Sequence, residues 1–177
     1  MRVIGGEFRS RLLKSVPGLD TRPTPDRLRE ALFNVLAPRI EGATFADVYA
    51  GTGAVGIEAL SRGASKAIFV EHNRAAAAVI RENLRALGLE SRSVLRNTRA
   101  SVALAQIEAD VVFIDPPYAL ESEYGRALEA LGEKPPALAI VQHASRMETP
   151  ETAGSLRRTR VLRQGDNALS FYEPISG

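Results

Sequence analysis

From Thr44 to Gln142 the chain alternates short apolar runs with longer stretches that place an apolar residue every three to four positions. Runs of four to six residues bounded by turn residues read as strands, and the 3.6-residue period reads as helices laid over them. The pattern predicts strands over residues 44–49, 67–71, 93–96, 111–115 and 138–142. It predicts helices over residues 54–62, 75–87, 100–107 and 123–131. Two more strands, residues 156–162 and 168–172, close the chain with no helix between them. Strands alternating with helices imply a doubly wound parallel sheet, and the closing pair implies an antiparallel edge.

The front of the chain has a different rhythm. Residues 2–16 read as two short strands around Gly5-Gly6, with Arg2, Arg9, Arg11 and Lys14 interleaved. A Pro-rich loop then leads to a helix with Thr24 as N-cap and Pro25 at its first position. Leu28, Leu32, Val35 and Leu36 form its apolar stripe, to about Leu36. The expected organisation is a small basic extension over residues 1–40 and one sheet domain over residues 41–177.

Charge sharpens that division. The whole chain carries only +2, but residues 1–40 hold eight basic groups against four acidic ones. A basic segment on a near-neutral body points to an anionic partner, most commonly nucleic acid. The 177 residues contain no cysteine and only two histidines, so a disulfide framework, a thiolate nucleophile and a metal centre are not expected. No apolar run approaches the ~18 residues of a membrane span. A cytoplasmic location is expected.

The candidate chemistry lies where strands end. Tyr49-Ala50-Gly51-Thr52-Gly53 follows the first strand, and Gly51 to Gly56 spell G-x-G-x-x-G between a strand and a helix. Glycines there allow a tight turn and close approach of a ligand to the backbone. Glu71 ends the next strand, 20 residues after Gly51, where a carboxylate can bind two ribose hydroxyls. This much also fits a NAD-binding fold. Two features favour S-adenosylmethionine (SAM). Asp47 lies inside the first strand, where it can face the ammonium of a methionine group. Asp115-Pro116-Pro117-Tyr118 stands at the end of the fourth strand and has no role in hydride transfer. The two prolines make a stiff corner, and the carboxylate, carbonyl and ring there can hold a planar exocyclic amino group. This pattern resembles the motif of methyltransferases that alkylate amino or amide nitrogens.

Longer stretches resemble one family. The segments from Arg22 to Leu36, Ala50 to Ala64, Phe113 to Tyr118 and Gly165 to Tyr172 are very similar to those of bacterial 16S rRNA guanine-N2 methyltransferases of the RsmD type. The resemblance spans essentially the whole chain. It implies a Rossmann-like SAM-dependent fold, with a seven-stranded, mostly parallel α/β sheet and an antiparallel edge strand. It implies methylation of a guanine N2 in 16S rRNA, on the small ribosomal subunit or an assembly intermediate; a monomer is expected. The cofactor is assigned to Asp47, Tyr49, Ala50, Gly51, Thr52, Gly53, Glu71, His72, Asn73, Asp115, and to Asn97 or Thr98 after the third strand. Asp115, Pro116, Pro117 and Tyr118 are assigned to the target base, with Tyr118 stacking on it. Arg9, Arg11, Lys14, Arg22 and Arg27 are assigned to RNA phosphates. Gln142-His143 departs from the family pattern and receives no role. Competing readings are a DNA adenine or protein glutamine N-methyltransferase, a NAD-dependent oxidoreductase, and a non-catalytic RNA-binding protein.

Overall fold

The computed structural model describes residues 1–17, 24–117 and 121–176, without the side chain of Glu121. The five predicted core strands are β1 (Thr44–Val48), β2 (Lys66–Val70), β3 (Ser93–Arg96), β4 (Val111–Ile114) and β5 (Leu138–Ala144). They pair in parallel in the order β3-β2-β1-β4-β5. The order turns back between β1 and β4, and such a switch opens a crevice at the carboxyl ends of the strands. Three antiparallel strands extend the sheet: β6 (Thr152–Ala153), β7 (Leu156–Gln164) and β8 (Asn167–Pro174), continuing as β5-β8-β7-β6. The sheet thus has eight strands rather than seven. The extra one is two residues of β6, which fold back through Gly154 to pair with Leu156 and Arg157.

The helices are α1 (Asp26–Ile40), α2 (Ala54–Ser61), α3 (Arg74–Ala86), α4 (Ala100–Ala103) and α5 (Glu121–Glu133). Successive strand residues point to opposite faces, so the sheet has two cores. Phe45, Phe69, Phe113, Ile140 and Phe171 pack under the first three helices. Ala46, Val48, Val112, Ile114 and Val141 pack under α5 and α4.

The front piece shares the first of these cores. Val3, Leu13, Leu28, Leu32, Phe33 and Leu36 belong to the same buried cluster as the sheet residues. Residues 1–13 form a tight hairpin with one bridge, Arg2–Leu12, in place of two regular strands. Its backbone lies so close to α2 that a Cβ at Gly6 would meet the Ser61 carbonyl oxygen at 2.0 Å. Polar anchors reinforce the docking. The buried Glu58 carboxylate of α2 accepts from the Ile4 and Gly5 N–H groups, each at 2.9 Å, and from Arg62 Nε at 2.8 Å. Arg29 of α1, fully buried, completes the cluster with its Nε 3.7 Å from Glu58.

α1 runs past its predicted end through Pro38, because Ile40 is buried and anchors the last turn. Thr24 does not cap it. Pro25 stands at the N-cap, and the Thr24 hydroxyl turns away to Gln142. α4 stops at Ala103, short of its predicted length.

Candidate active site

The glycine loop is built by backbone conformation. Tyr49 (φ 63°), Gly51 (φ 58°) and Gly53 (φ 83°) all take the left-handed region. Gly53 closes the turn onto the Ala50 carbonyl at 2.8 Å and caps α2. A Cβ at Gly51 would meet no atom within 4 Å, so the loop presents bare backbone to open space. At Gly56 a Cβ would come within 2.3 Å of the Phe69 ring, so this glycine lets α2 press against β2. Asn83 of α3 holds the loop from behind by donating to the Thr52 carbonyl at 3.1 Å.

Three carboxyl groups converge here from three adjacent strands. Glu71, just past β2, accepts from the Gly51 N–H through one oxygen and from the Asn73 N–H through the other, each at 2.8 Å. A carboxylate offers about four acceptor positions, so both oxygens retain capacity for a diol. Asp47 in β1 is 1% exposed and accepts from the Gly56 N–H at 2.9 Å. Burial, with the Glu71 charge adding, pushes its carboxyl up to about 7, although the Gly56 hydrogen bond opposes the shift. Asp115 follows β4 on the same face of the sheet as Asp47. The residue is half-buried, yet burial of its carboxyl and the neighbouring Asp47 charge hold it well above the usual carboxylate range. Two desolvated acids, one raised further by the other's charge, form a site suited to a cation. A ligand carrying a sulfonium, an ammonium and a ribose diol fits this donor set.

Asn73 and Asn97 also have structural duties. Asn73 caps α3 by accepting from Ala76 at 2.9 Å. Asn97 donates to the Glu71 and His72 carbonyls at 2.8 and 3.1 Å, tying the β3 loop to the β2 loop. The His72 side chain is exposed and Thr98 is half-buried beyond Asn97.

At the end of β4, Pro116 is buried and Pro117 exposed, while Tyr118 lies outside the described residues. Three polar contacts around this corner are not foreseen by the sequence. The Tyr124 hydroxyl of α5 donates to the Pro116 carbonyl at 3.2 Å. The Tyr49 hydroxyl donates to Glu123 of the same helix at 2.7 Å. The Thr24 hydroxyl donates to Gln142 at 2.9 Å, on the strand position beside Asp115. The first does carry a signal: Tyr124, Ala127, Leu128 and Leu131 follow helical spacing and all lie in the second core. A tyrosine on such a stripe must find a partner for its hydroxyl.

Among the described residues, the expected RNA-binding side chains do not all gather at this crevice. Arg9 lies exposed on the hairpin docked to the C-terminal end of α2. Arg11 reaches the Ala86 carbonyl at the end of α3, and Lys14 pairs with Glu82 on that helix at 3.1 Å. Both helices run back from the crevice, which places Arg9 and Arg11 toward the opposite end of the sheet. Arg27 is exposed on the first turn of α1, at the crevice end. Arg22 lies outside the described residues. His143 is a buried member of a hydroxyl chain, with Nε2 2.7 Å from Ser170 Oγ, which is 2.9 Å from Thr149 Oγ1. Among the described residues no cluster could hold a metal ion, and no helix is long and apolar enough to cross a membrane.

A glycine loop over a buried acid, a ribose-type carboxylate and an Asp-Pro-Pro corner on one switch point define a Rossmann-like, SAM-dependent methyltransferase. The family described as "Conserved hypothetical protein 95" matches residues 1–173. The chain belongs to that family, the RsmD-type rRNA methyltransferases. It is 37% identical over 182 residues to the Bacillus subtilis protein named "Putative rRNA methyltransferase YlbH", covering 98% of each chain. It is 43% identical over 120 residues to "Ribosomal RNA small subunit methyltransferase D" of Escherichia coli, a match that spans 67% of this chain and 60% of that one. Among solved structures, the Escherichia coli chain called "Putative methyltransferase yhhF" superposes with a TM-score of 0.86 at 33% identity, covering 100% of this chain and 99% of that one.

Proposed function

We propose that this enzyme methylates the N2 amino group of a guanine in 16S rRNA, within the small subunit or an assembly intermediate, and that it acts as a cytoplasmic monomer. The observation that carries the reading is the acceptor corner. A carboxyl from Asp115 and a carbonyl from Pro116 stand together at the end of β4, beside the buried Asp47.

A guanine amino group is a poor nucleophile because its lone pair is delocalised into the ring. Asp115 and Pro116 accept its two N–H groups and favour the pyramidal nitrogen of the transition state. Bound SAM supplies an electrophilic methyl group on a sulfonium. The glycine loop, Asp47 and Glu71 would fix its orientation, and Asn97 or Thr98 would meet the adenine ring. As the nitrogen is alkylated its remaining protons become acidic. Asp115, ionised once the cofactor's positive charge lies beside it, would accept one. Tyr118 stacks on the base, which must leave the RNA stack to reach the corner. Arg27 serves RNA near the crevice and Arg22 contacts phosphate as well, while Arg9, Arg11 and Lys14 contact strands that reach round the molecule.

The test is to incubate small subunits and naked 16S rRNA with labelled SAM and map the product by nuclease digestion and mass spectrometry. N2-methylguanosine at a single position is expected. A methyl group on adenine, or on protein alone, overturns the reading.

A further inference from the structure

β1 and β4 are neighbours in the sheet, and each carries one half of the chemistry just past its end. Their register runs to Val48 and Ile114, and the Asp115 N–H then donates to the Val48 carbonyl at 3.2 Å. Pro116 and Pro117 have no N–H, so the β4 chain cannot donate further to its neighbour. On the other chain Tyr49 takes the left-handed region, at φ 63°, and turns the backbone into the glycine loop. From this point the loop for the methyl donor and the corner for the methyl acceptor separate.

One turn of α5 reaches both. Glu123 and Tyr124 are consecutive residues at its start. Glu123 accepts from the Tyr49 hydroxyl at 2.7 Å, and Tyr124 donates to the Pro116 carbonyl at 3.2 Å. The rings of Tyr49 and Tyr124 both pack on the second core, whereas Asp47 and Asp115 lie on the first-core face. The Tyr49 side chain thus braces the glycine loop from the α5 side of the sheet. A left-handed backbone is unfavourable for a residue with a side chain and persists only where its surroundings hold it. Ring packing and the bond to Glu123 hold this one. Burial first, and then the hydrogen bond and charge of Glu123, push the Tyr49 phenol up, so it stays a donor at working pH.

We propose that Tyr49 and Glu123 are a positioning pair, whose hydrogen bond sets the spacing between the cofactor loop and the acceptor corner through the first turn of α5. The proposal rests on the reading of Asp115 and Pro116 as that corner. Methyl transfer needs nitrogen, carbon and sulfur in line, with reacting atoms about 3–3.5 Å apart, and a misplacement of ~1 Å can cost roughly 10²-fold. Two loops on separate strands meet that tolerance only when something rigid joins them. Leu128 and Leu131 bury α5 against the sheet, and contacts made by adjacent residues of one helix leave little slack between their targets. Tyr49 and Glu123 act through the loops they hold rather than on the reacting atoms.

The experiment measures single-turnover methylation of small subunits at saturating SAM. It compares wild type, Tyr49→Phe, Glu123→Ala, Glu123→Gln and the double variant Tyr49→Phe/Glu123→Ala. Tyr49→Phe and Glu123→Ala are each expected to slow transfer about tenfold, with SAM affinity by calorimetry and KM for the subunit unchanged. Glu123→Gln keeps an acceptor oxygen and should retain most of the rate. The double variant should be no slower than the worse single one, because the two partners of one bond are not additive. Unchanged rates, losses that multiply, or a loss confined to SAM affinity overturn the pair. Amide exchange adds a readout that needs no RNA. Saturating S-adenosylhomocysteine should slow exchange over residues 122–128 of α5 in the wild type and do so less in Tyr49→Phe. Equal slowing in both proteins overturns the pair. A wild type that transfers no methyl group to the subunit would sink the functional reading, while exchange still decides the pair.

Discussion

The Tyr124 hydroxyl donates to the Pro116 carbonyl across 3.2 Å, so the backbone acceptor at the end of β4 already has one partner inside the protein. A carbonyl has two lone pairs, so a substrate N–H can share this oxygen with Tyr124. The contact fixes the direction of that carbonyl from a helix on the far side of the sheet. Tyr124→Phe removes one buried hydrogen bond, worth about 0.5–1.5 kcal/mol of stability. Urea unfolding should show that loss. Single-turnover assays should show kcat falling several-fold with SAM affinity unchanged, and an unaltered kcat would reduce Tyr124 to a packing residue.

Asp115→Ala removes the other acceptor. Its kcat is expected to fall about 10²–10³-fold, by analogy with deleting one preorganised group from an oxyanion hole. Asp115→Asn keeps an acceptor oxygen and should lose less. Equal losses in the two variants would make the carboxylate's charge or basicity, rather than its geometry, the working property.

Cofactor binding should depend on pH through Asp47. Its carboxyl titrates at about 7 in the folded protein and near 3.9 when unfolded. Between those values the folded state holds the extra proton, so this group's contribution to stability falls as pH rises through the window. A cation beside it favours ionisation, so binding below about pH 7 must release a proton. SAM affinity should therefore rise between pH 6 and 8 and then level off. Calorimetry in buffers of different ionisation enthalpy should detect the proton, and Asp47→Asn should flatten the profile. A profile that stays steep in Asp47→Asn would assign the linkage to Asp115.

Acid should destabilise the fold through His143. Burial lowers its basicity, with Arg163 and Arg158 adding and the Ala144 carbonyl opposing. The folded state then binds fewer protons than the unfolded chain, so stability is lost as pH falls below about 6.5. Comparing thermal midpoints of wild type and His143→Gln across that range tests the sign, the variant being the less acid-sensitive.

Glu58→Ala should be the most damaging substitution outside the crevice. It leaves Arg29 buried with its main counter-charge gone and frees two backbone N–H groups of the hairpin. Breaking a buried pair from one side costs about 3–5 kcal/mol. An unfolding free energy lowered by less than about 1 kcal/mol, against that expectation, would mean that water replaces the carboxylate.

The succession of strands and helices and the corner after β4 are legible in the sequence because they follow from local signals. Val111 to Ile114 is apolar without interruption and the two prolines stop it, so the position of Asp115 follows from the chain alone. The length of α1 is not legible, because Pro38 is a local breaker and only the burial of Ile40 against the sheet overrides it. Thr24 has every local mark of a cap, and nothing nearby reveals Gln142, 118 residues away. The same limit hides the contact of Tyr49 with Glu123, 74 residues away. Long-range hydrogen bonds leave no period in a sequence.

The Glu58 cluster bears on inheritance. Its carboxylate sits on the helix launched by the glycine loop, while its partners come from the hairpin and from α1. A front piece transplanted from a relative would carry Arg29 and the hairpin backbone but not Glu58 or Arg62. Chimeras joined between α1 and β1 should fold only when all of these positions match, so the extension and the cofactor helix are expected to descend together as one heritable unit.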